Sequence, residues 1–186
     1  MRFSLKFLTL FILFLSATVL LCGAEAADSA EAFMSATFGL SSARTQKRME
    51  NSDAVASDFI RDGRLTMKGL FESRPAIFVF GFHAKKGLNH KAAYIASSGD
   101  AQADRAFYDA LREAYNASFG KTDERAAENI QAKGRLMLRN AWKPNQYTTI
   151  ALSYNPAITE RFPGDSPGGR PIHLLYTYTK WTTATK

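Results

Sequence analysis

The sequence predicts an α+β protein made of two similar helix-plus-three-stranded antiparallel sheet units, packed as one compact domain. Three observations lead there. Asp104–Gly120 (DRAFYDALREAYNASFG) is an amphipathic helical stretch with a glycine stop in mid-chain. Its end, Glu113-Ala-Tyr-Asn-Ala-Ser-Phe-Gly120, echoes Glu31-Ala-Phe-Met-Ser-Ala-Thr-Phe-Gly39. Each echo is followed by a Gly-Arg-Leu strand start, at Gly63-Arg64-Leu65 and at Gly134-Arg135-Leu136. An internal repeat over 28–99 and 100–181 follows from that order.

Taken along the chain, Asp28–Phe38 is expected to be a short helix. Ala30, Phe33, Met34 and Thr37 share one side, and Gly39 is suited to the left-handed stop. Ser41 or Ser42 then caps a charged helix over Ala43–Glu50. Residues 55–97 read as strands. Leu65–Phe71 comes first, and Ala76–Phe82 (AIFVFGF) is the strongest, apolar on both faces. His83–His90 reads as a loop and Lys91–Ser97 as a third strand.

In the central helix, Ala103, Ala106, Phe107, Ala110, Leu111, Ala114 and Tyr115 form the expected core stripe, with its alanines allowing close approach to a sheet. Asp109 and Glu113 are a mildly unfavourable like-charge pair. Thr122 is placed to cap a charged helix over Asp123–Lys133. Strands are expected at Arg135–Lys143, Tyr147–Tyr154 and Pro171–Trp181, with a Pro- and Gly-rich loop over Asn155–Pro171.

The N-terminus reads as a cleaved signal peptide over residues 1–26. Arg2 and Lys6 precede the apolar run Phe7–Leu21, and Gly23-Ala24-Glu25-Ala26 supplies small residues for cleavage. An uncleaved membrane anchor is the competing reading of that run. Cys22 is the chain's one cysteine, and Leu21 before it argues against lipid anchoring there. The mature domain, 27–186, then has no disulfide, cysteine-ligated metal or thiol nucleophile. Export places it in the periplasm.

The chain has 24 Lys+Arg and 17 Asp+Glu. Loss of Arg2, Lys6 and Glu25 leaves 22 against 16, a spread-out excess of about six. That permits contact with an anionic lipid or glycan; in an exported protein no nucleic-acid partner is expected. His83, His90 and His173 are the histidines. The first two flank one loop, but two ligands are too few for zinc. No nucleophile elbow, P-loop, dinucleotide fingerprint or zinc-protease motif occurs. Pro167-Gly168-Gly169-Arg170 lies between a loop and a strand, where no helix start would cradle phosphate. No cofactor is expected.

The densest basic patch is Lys85-Lys86 with His90-Lys91. A solvated hairpin tip accounts for it, since lysines there discourage edge pairing. As ligand-binding candidates we take Lys85, Lys86, His90, Lys91 and Arg170. The signal peptide, the stretch Phe38-Gly-Leu-Ser-Ser-Ala-Arg44 and the helix–strand–strand layout resemble the SmpA/OmlA-type envelope lipoproteins. That resemblance implies helices on a three-stranded antiparallel sheet and action through protein contacts without catalysis. The chain departs from that pattern in its poor lipidation signal and its two units, so no functional residues are carried over.

The expected function is therefore non-catalytic: a periplasmic domain that binds an envelope protein or other ligand at an edge strand or in the cleft between units. The alternatives are an envelope hydrolase whose carboxylates or histidines converge in space, and a polyanion binder. The latter needs Lys85, Lys86, Lys91 and Arg170 on one face.

Overall fold

Two-residue alternation governs the architecture. The computed structural model describes residues 29–61, 63–122, 125–129, 135–158 and 169–181. In chain order they form α1 (Ser29–Ser35), α2 (Ser42–Glu50), β1 (Val55–Arg61), β2 (Arg64–Phe71), β3 (Arg74–His83) and β4 (Gly87–Ile95). Then come α3 (Ala101–Phe119), β5 (Arg125–Asn129), β6 (Arg135–Asn145), β7 (Thr148–Tyr154), β8 (Ile172–Tyr178) and a short 3-10 turn, Thr179–Trp181.

The strands make one antiparallel sheet in the order β1-β2-β3-β4-β8-β7-β6-β5. The α+β class is thus as expected, but the sheet is continuous and four strands follow the helices in each half. One extra strand is β1, ahead of the expected first strand. The other is β5, which lies where a helix was expected over Asp123–Lys133. Arg125-Ala-Ala-Glu128 are good helix formers, yet their backbone pairs with β6 from Arg125↔Arg139 to Asn129↔Arg135. Tertiary pairing overrides a weak local preference. The rest of that expected helix, the signal segment with Cys22, and most of the Asn155–Pro171 loop lie outside the described residues.

The helices pack on one face of the sheet. Registers carry core side chains across it in rows: Met67↔Phe78↔Ala93↔Leu174↔Leu152↔Asn140, and beside it Leu65↔Phe80↔Lys91↔Tyr176↔Ile150↔Trp142. Ten of these twelve are apolar or aromatic; each row holds one polar member, Asn140 or Lys91. On the opposite face, Ile77 and Ala92 are buried and Tyr94 meets His173 edge to face at 4.9 Å. Ala76–Phe82 is therefore apolar on both sides, as its composition predicts.

α1 is shorter than expected, ending at Ser35, and Phe33 at its centre is fully buried against Phe71, Phe78, Phe80 and Tyr176. It can lie this close because of Gly69, where a Cβ would come within 2.5 Å of Ser29 Oγ. Ser41 caps α2, accepting from the Arg44 amide. Arg48 then reaches back to the Ser35 carbonyl at 3.2 Å and the Ser35 hydroxyl at 2.9 Å, tying the two short helices together. The link between them runs beside β4. Gly39 N–H donates to Leu88 O and Leu88 N–H to Leu40 O, both at 2.8 Å. Gly87 allows that approach: its φ is +80°, and a Cβ there would sit 2.5 Å from Gly39 O.

α3 starts earlier than expected, on the Asp100 side chain, which accepts from the amides of Gln102 and Ala103. Its buried stripe is Asp104, Tyr108, Leu111 and Tyr115, whereas Ala106, Ala110 and Ala114 face solvent. The alanine stripe is corrected for a plain reason. Asp104 and Tyr108 are buried through their polar ends, which an apolar periodicity leaves out. Tyr108 donates to Asn140 Oδ1 at 2.6 Å, and Asp104 accepts from Ser97, Ser98 and Arg74. Asp109 and Glu113 are compensated by Arg105 and Arg112, with Arg105 Nε donating to Asp109 at 2.8 Å.

Candidate functional site

The basic residues singled out from the sequence are not brought together. Lys85 and Lys86 are exposed on the β3–β4 turn, as a hairpin tip requires. His90 lies inside β4 and not in the expected loop, and it is half-buried on the face away from the helices. Burial, helped by repulsion from Arg64, holds its imidazole below the ordinary range. It opposes Gly81, and His83 opposes Gly87, so the two histidines do not meet across the hairpin. Among the described residues no three His, Cys, Asp or Glu side chains cluster to hold a metal.

Arg170 is buried near the opposite end of β3, where its Nη1 donates to Pro75 O at 2.9 Å. Lys91 is 3% exposed, on the core face. One shared basic face is thus corrected. Alternation along β4 turns Lys91 inward while the turn holds Lys85 and Lys86 outside.

What the fold does assemble is a groove of about 520 Å³ on the helix-bearing face. Its floor is Lys91 of β4, Ile150 of β7 and Tyr176 and Tyr178 of β8; the segment Met34–Phe38 walls one side and Phe119 another. The two Phe-Gly words of the sequence therefore border one hollow. Their glycines both have positive φ, +94° at Gly39 and +86° at Gly120. Phe38 stacks on Tyr178 at 5.1 Å between centroids. Phe119 is held by its neighbours: Trp142 Nε1 donates to Asn116 Oδ1 at 3.2 Å and to Gly120 O at 3.1 Å, pinning the end of α3 to β6. The β6–β7 turn is shaped by Asn145 Oδ1, which accepts from the amides of Tyr147 and Thr148, each at 2.9 Å.

Lys91 builds the first wall. Its Nζ donates to Phe33 O, Met34 O and Ala36 O at 2.8, 2.8 and 2.9 Å, and it lies 4.6 Å from the Tyr176 ring centre and 5.1 Å from that of Phe33. Three acceptors on one nitrogen use all three protons of an ammonium. The lysine thereby gathers carbonyls at and just past the end of α1, where Phe33 O also accepts from the Ala36 amide at 3.3 Å. Burial, with repulsion from Arg48 added, pulls its pKa down to about 7. Among the described residues it forms no ion pair, so its charge is uncompensated by any carboxylate.

Beside Lys91 lies a chain of hydroxyls. Tyr115 and Tyr176 share a hydrogen bond, and Met34 Sδ lies 3.3 Å from the first oxygen and 3.1 Å from the second. Two hydroxyl protons serve this chain. One joins the oxygens and the other ends on the thioether, a weak acceptor. Burial raises both phenols, Tyr176 to about 12. Both stay protonated donors at neutral pH.

Comparison with protein-family models, with curated proteins and with solved structures returns no match for this chain. The likeness drawn from the signal peptide, Phe38–Arg44 and the helix–strand–strand layout thus has no support from these comparisons; in this fold Phe38 lines the groove and Ser41 caps α2. Sequence reasoning passed over Met34, Tyr176 and, behind the lining, Tyr115 because they read as core positions, and it read Phe119 only as part of the Phe-Gly echo. The signal available was the repeated Phe-Gly word: Phe38 and Phe119 both line the groove, although only Phe119-Gly120 ends a helix.

Proposed function

We propose that this is an exported, non-catalytic binding domain that holds an apolar small molecule in the groove between its two halves. The observation that carries the reading is a hollow of about 520 Å³ lined mainly by apolar and aromatic side chains, with Met34 and Phe119 on its border 43% and 45% exposed. Large apolar side chains left in water beside a concave apolar floor are the usual setting of a ligand site.

The same reading takes the halves as two copies of one unit. Each runs from helix to four-strand meander, the sheet order is symmetric about the β4–β8 pair, and Arg64-Leu65 and Arg135-Leu136 open the second strand of each meander. The groove then lies near their junction, where duplicated units leave a cleft. Removal of residues 1–26 would deliver the domain to the periplasm.

The test is uptake of the neutral dye Nile red by the mature chain. Wild type should bind it with a fluorescence rise, and Thr148→Trp, which fills the groove from the edge of β7, should abolish the rise without loss of folded structure. A wild type that leaves the dye dark, or a folded Thr148→Trp that still binds it, would refute the groove as the site.

A further inference from the structure

Resting on that groove, we infer that its ligand is an anionic amphiphile: an acyl chain on the aromatic floor, with a carboxylate head at the Tyr115–Tyr176 hydroxyl pair. Three observations on different groups converge on this head. The hydroxyl chain has one proton more than its own oxygen–oxygen bond uses, and the acceptor for it is a thioether. Oxygen is a far better acceptor than sulfur, and a carboxylate better than a neutral oxygen, so exchanging Met34 Sδ for a carboxylate oxygen strengthens the chain.

Met34 can give way, because it is 43% exposed on the border of the groove and unbranched. The last observation is charge. Lys91 brings a cation into the floor row, paired in register with Tyr176, and among the described residues no carboxylate answers it. A ligand anion at the phenols lies beside that charge in a site of low dielectric, where opposite charges attract strongly. Lys91 need not surrender its carbonyls for this, since the attraction acts without a direct hydrogen bond.

Tyr115 reaches this head from behind Tyr176 and Met34, and the apolar part of the lining suits the chain of such a molecule. Ile150, Tyr178, Phe38 and Phe119 present hydrocarbon and ring faces, and the described lining carries no acidic side chain. A cationic or neutral amphiphile would bury the same tail but leave the hydroxyl proton on sulfur or bring like charge toward Lys91.

The experiment compares octanoate, octanol and octyltrimethylammonium as competitors of Nile red, slightly below neutral pH. Octanoate should bind about tenfold tighter than octanol, the scale of one charge-assisted hydrogen bond, and the cation should bind weakest. Tyr115→Phe/Tyr176→Phe together should erase the octanoate advantage while leaving octanol within about threefold, a loss smaller than one good hydrogen bond confers. Met34→Leu, a substitution that keeps volume at an exposed position, should retain or tighten octanoate binding by freeing the hydroxyl. Equal affinity for all three heads, or an octanoate advantage that survives in the folded double variant, would overturn the carboxylate head and leave the groove standing. Failure of every amphiphile, with Nile red also unbound, would remove the groove and this inference together.

Discussion

Lys91 shows how one residue can be both a structural pin and a charge in the core. A lysine ordinarily titrates near 10.5, and here burial pulls it to about 7. Between those values the unfolded chain holds a proton that the folded chain releases, so this group makes folding more favourable as pH rises from about 7 toward 10.5. The slope is at most about 1.4 kcal/mol per pH unit. Tyr115 and Tyr176 act in the opposite sense above pH 10, because folding raises both and keeps their protons on. Urea denaturation across this range should therefore show stability climbing above neutrality and turning down beyond pH 10. In Lys91→Met the climb should flatten, whatever the absolute loss from uncapping α1. An unchanged slope in that variant would show that Lys91 is not the titrating group.

At the scale of the element, α3 is held at its start by Asp104. Burial pushes this carboxyl up, but hydrogen bonds from the Ser97 hydroxyl, the Ser98 amide and hydroxyl, and Arg74 together bring it below its usual range. Arg74 also lies 4.2 Å over the Phe107 ring and donates to Ala103 O, so one cluster fastens the first turn of α3 to β3 and to the β4–α3 turn. Asp104→Ala would leave the Arg74 guanidinium, 16% exposed, without its carboxylate. A loss of about 3–5 kcal/mol in chemical denaturation is expected, the cost of breaking a buried pair. A loss under about 1 kcal/mol would mean that the pair behaves as a surface one.

At the scale of the whole molecule the two halves share one core. Phe33 of the first half and Tyr115 of the second both touch Tyr176, and buried side chains from α1 through β8 form a single cluster. The β4–β8 pairing, His90↔Thr177 to Ile95↔Ile172, continues the sheet across the junction. The chain should unfold in one transition with coincident far- and near-ultraviolet circular dichroism. Two separated transitions would mean that the halves are independent domains despite this seam.

Pattern and spacing along the chain were enough for the class, the main strands, the central helix with its glycine stop, and the cap of α2. Those features are local, set by alternation, apolar spacing and turn chemistry within a few residues. The echo Phe38-Gly39 and Phe119-Gly120 was also legible, though its meaning as the border of one groove was not. The rest came from the packing of distant segments. It made Arg125–Asn129 a strand, because pairing with β6 outweighs helix preference. It buried Asn140 and Lys91, because core rows run across six strands and bring these side chains to partners far away in the chain, and it buried Asp104 by bringing Arg74 of β3 to it. It also dispersed Lys85, Lys86, His90, Lys91 and Arg170, since adjacency in sequence carries no information about face once a strand alternates. A groove whose lining comes from two helix ends, the link after α1 and four strands exists only when registers and helix ends are set together, and no single stretch encodes it.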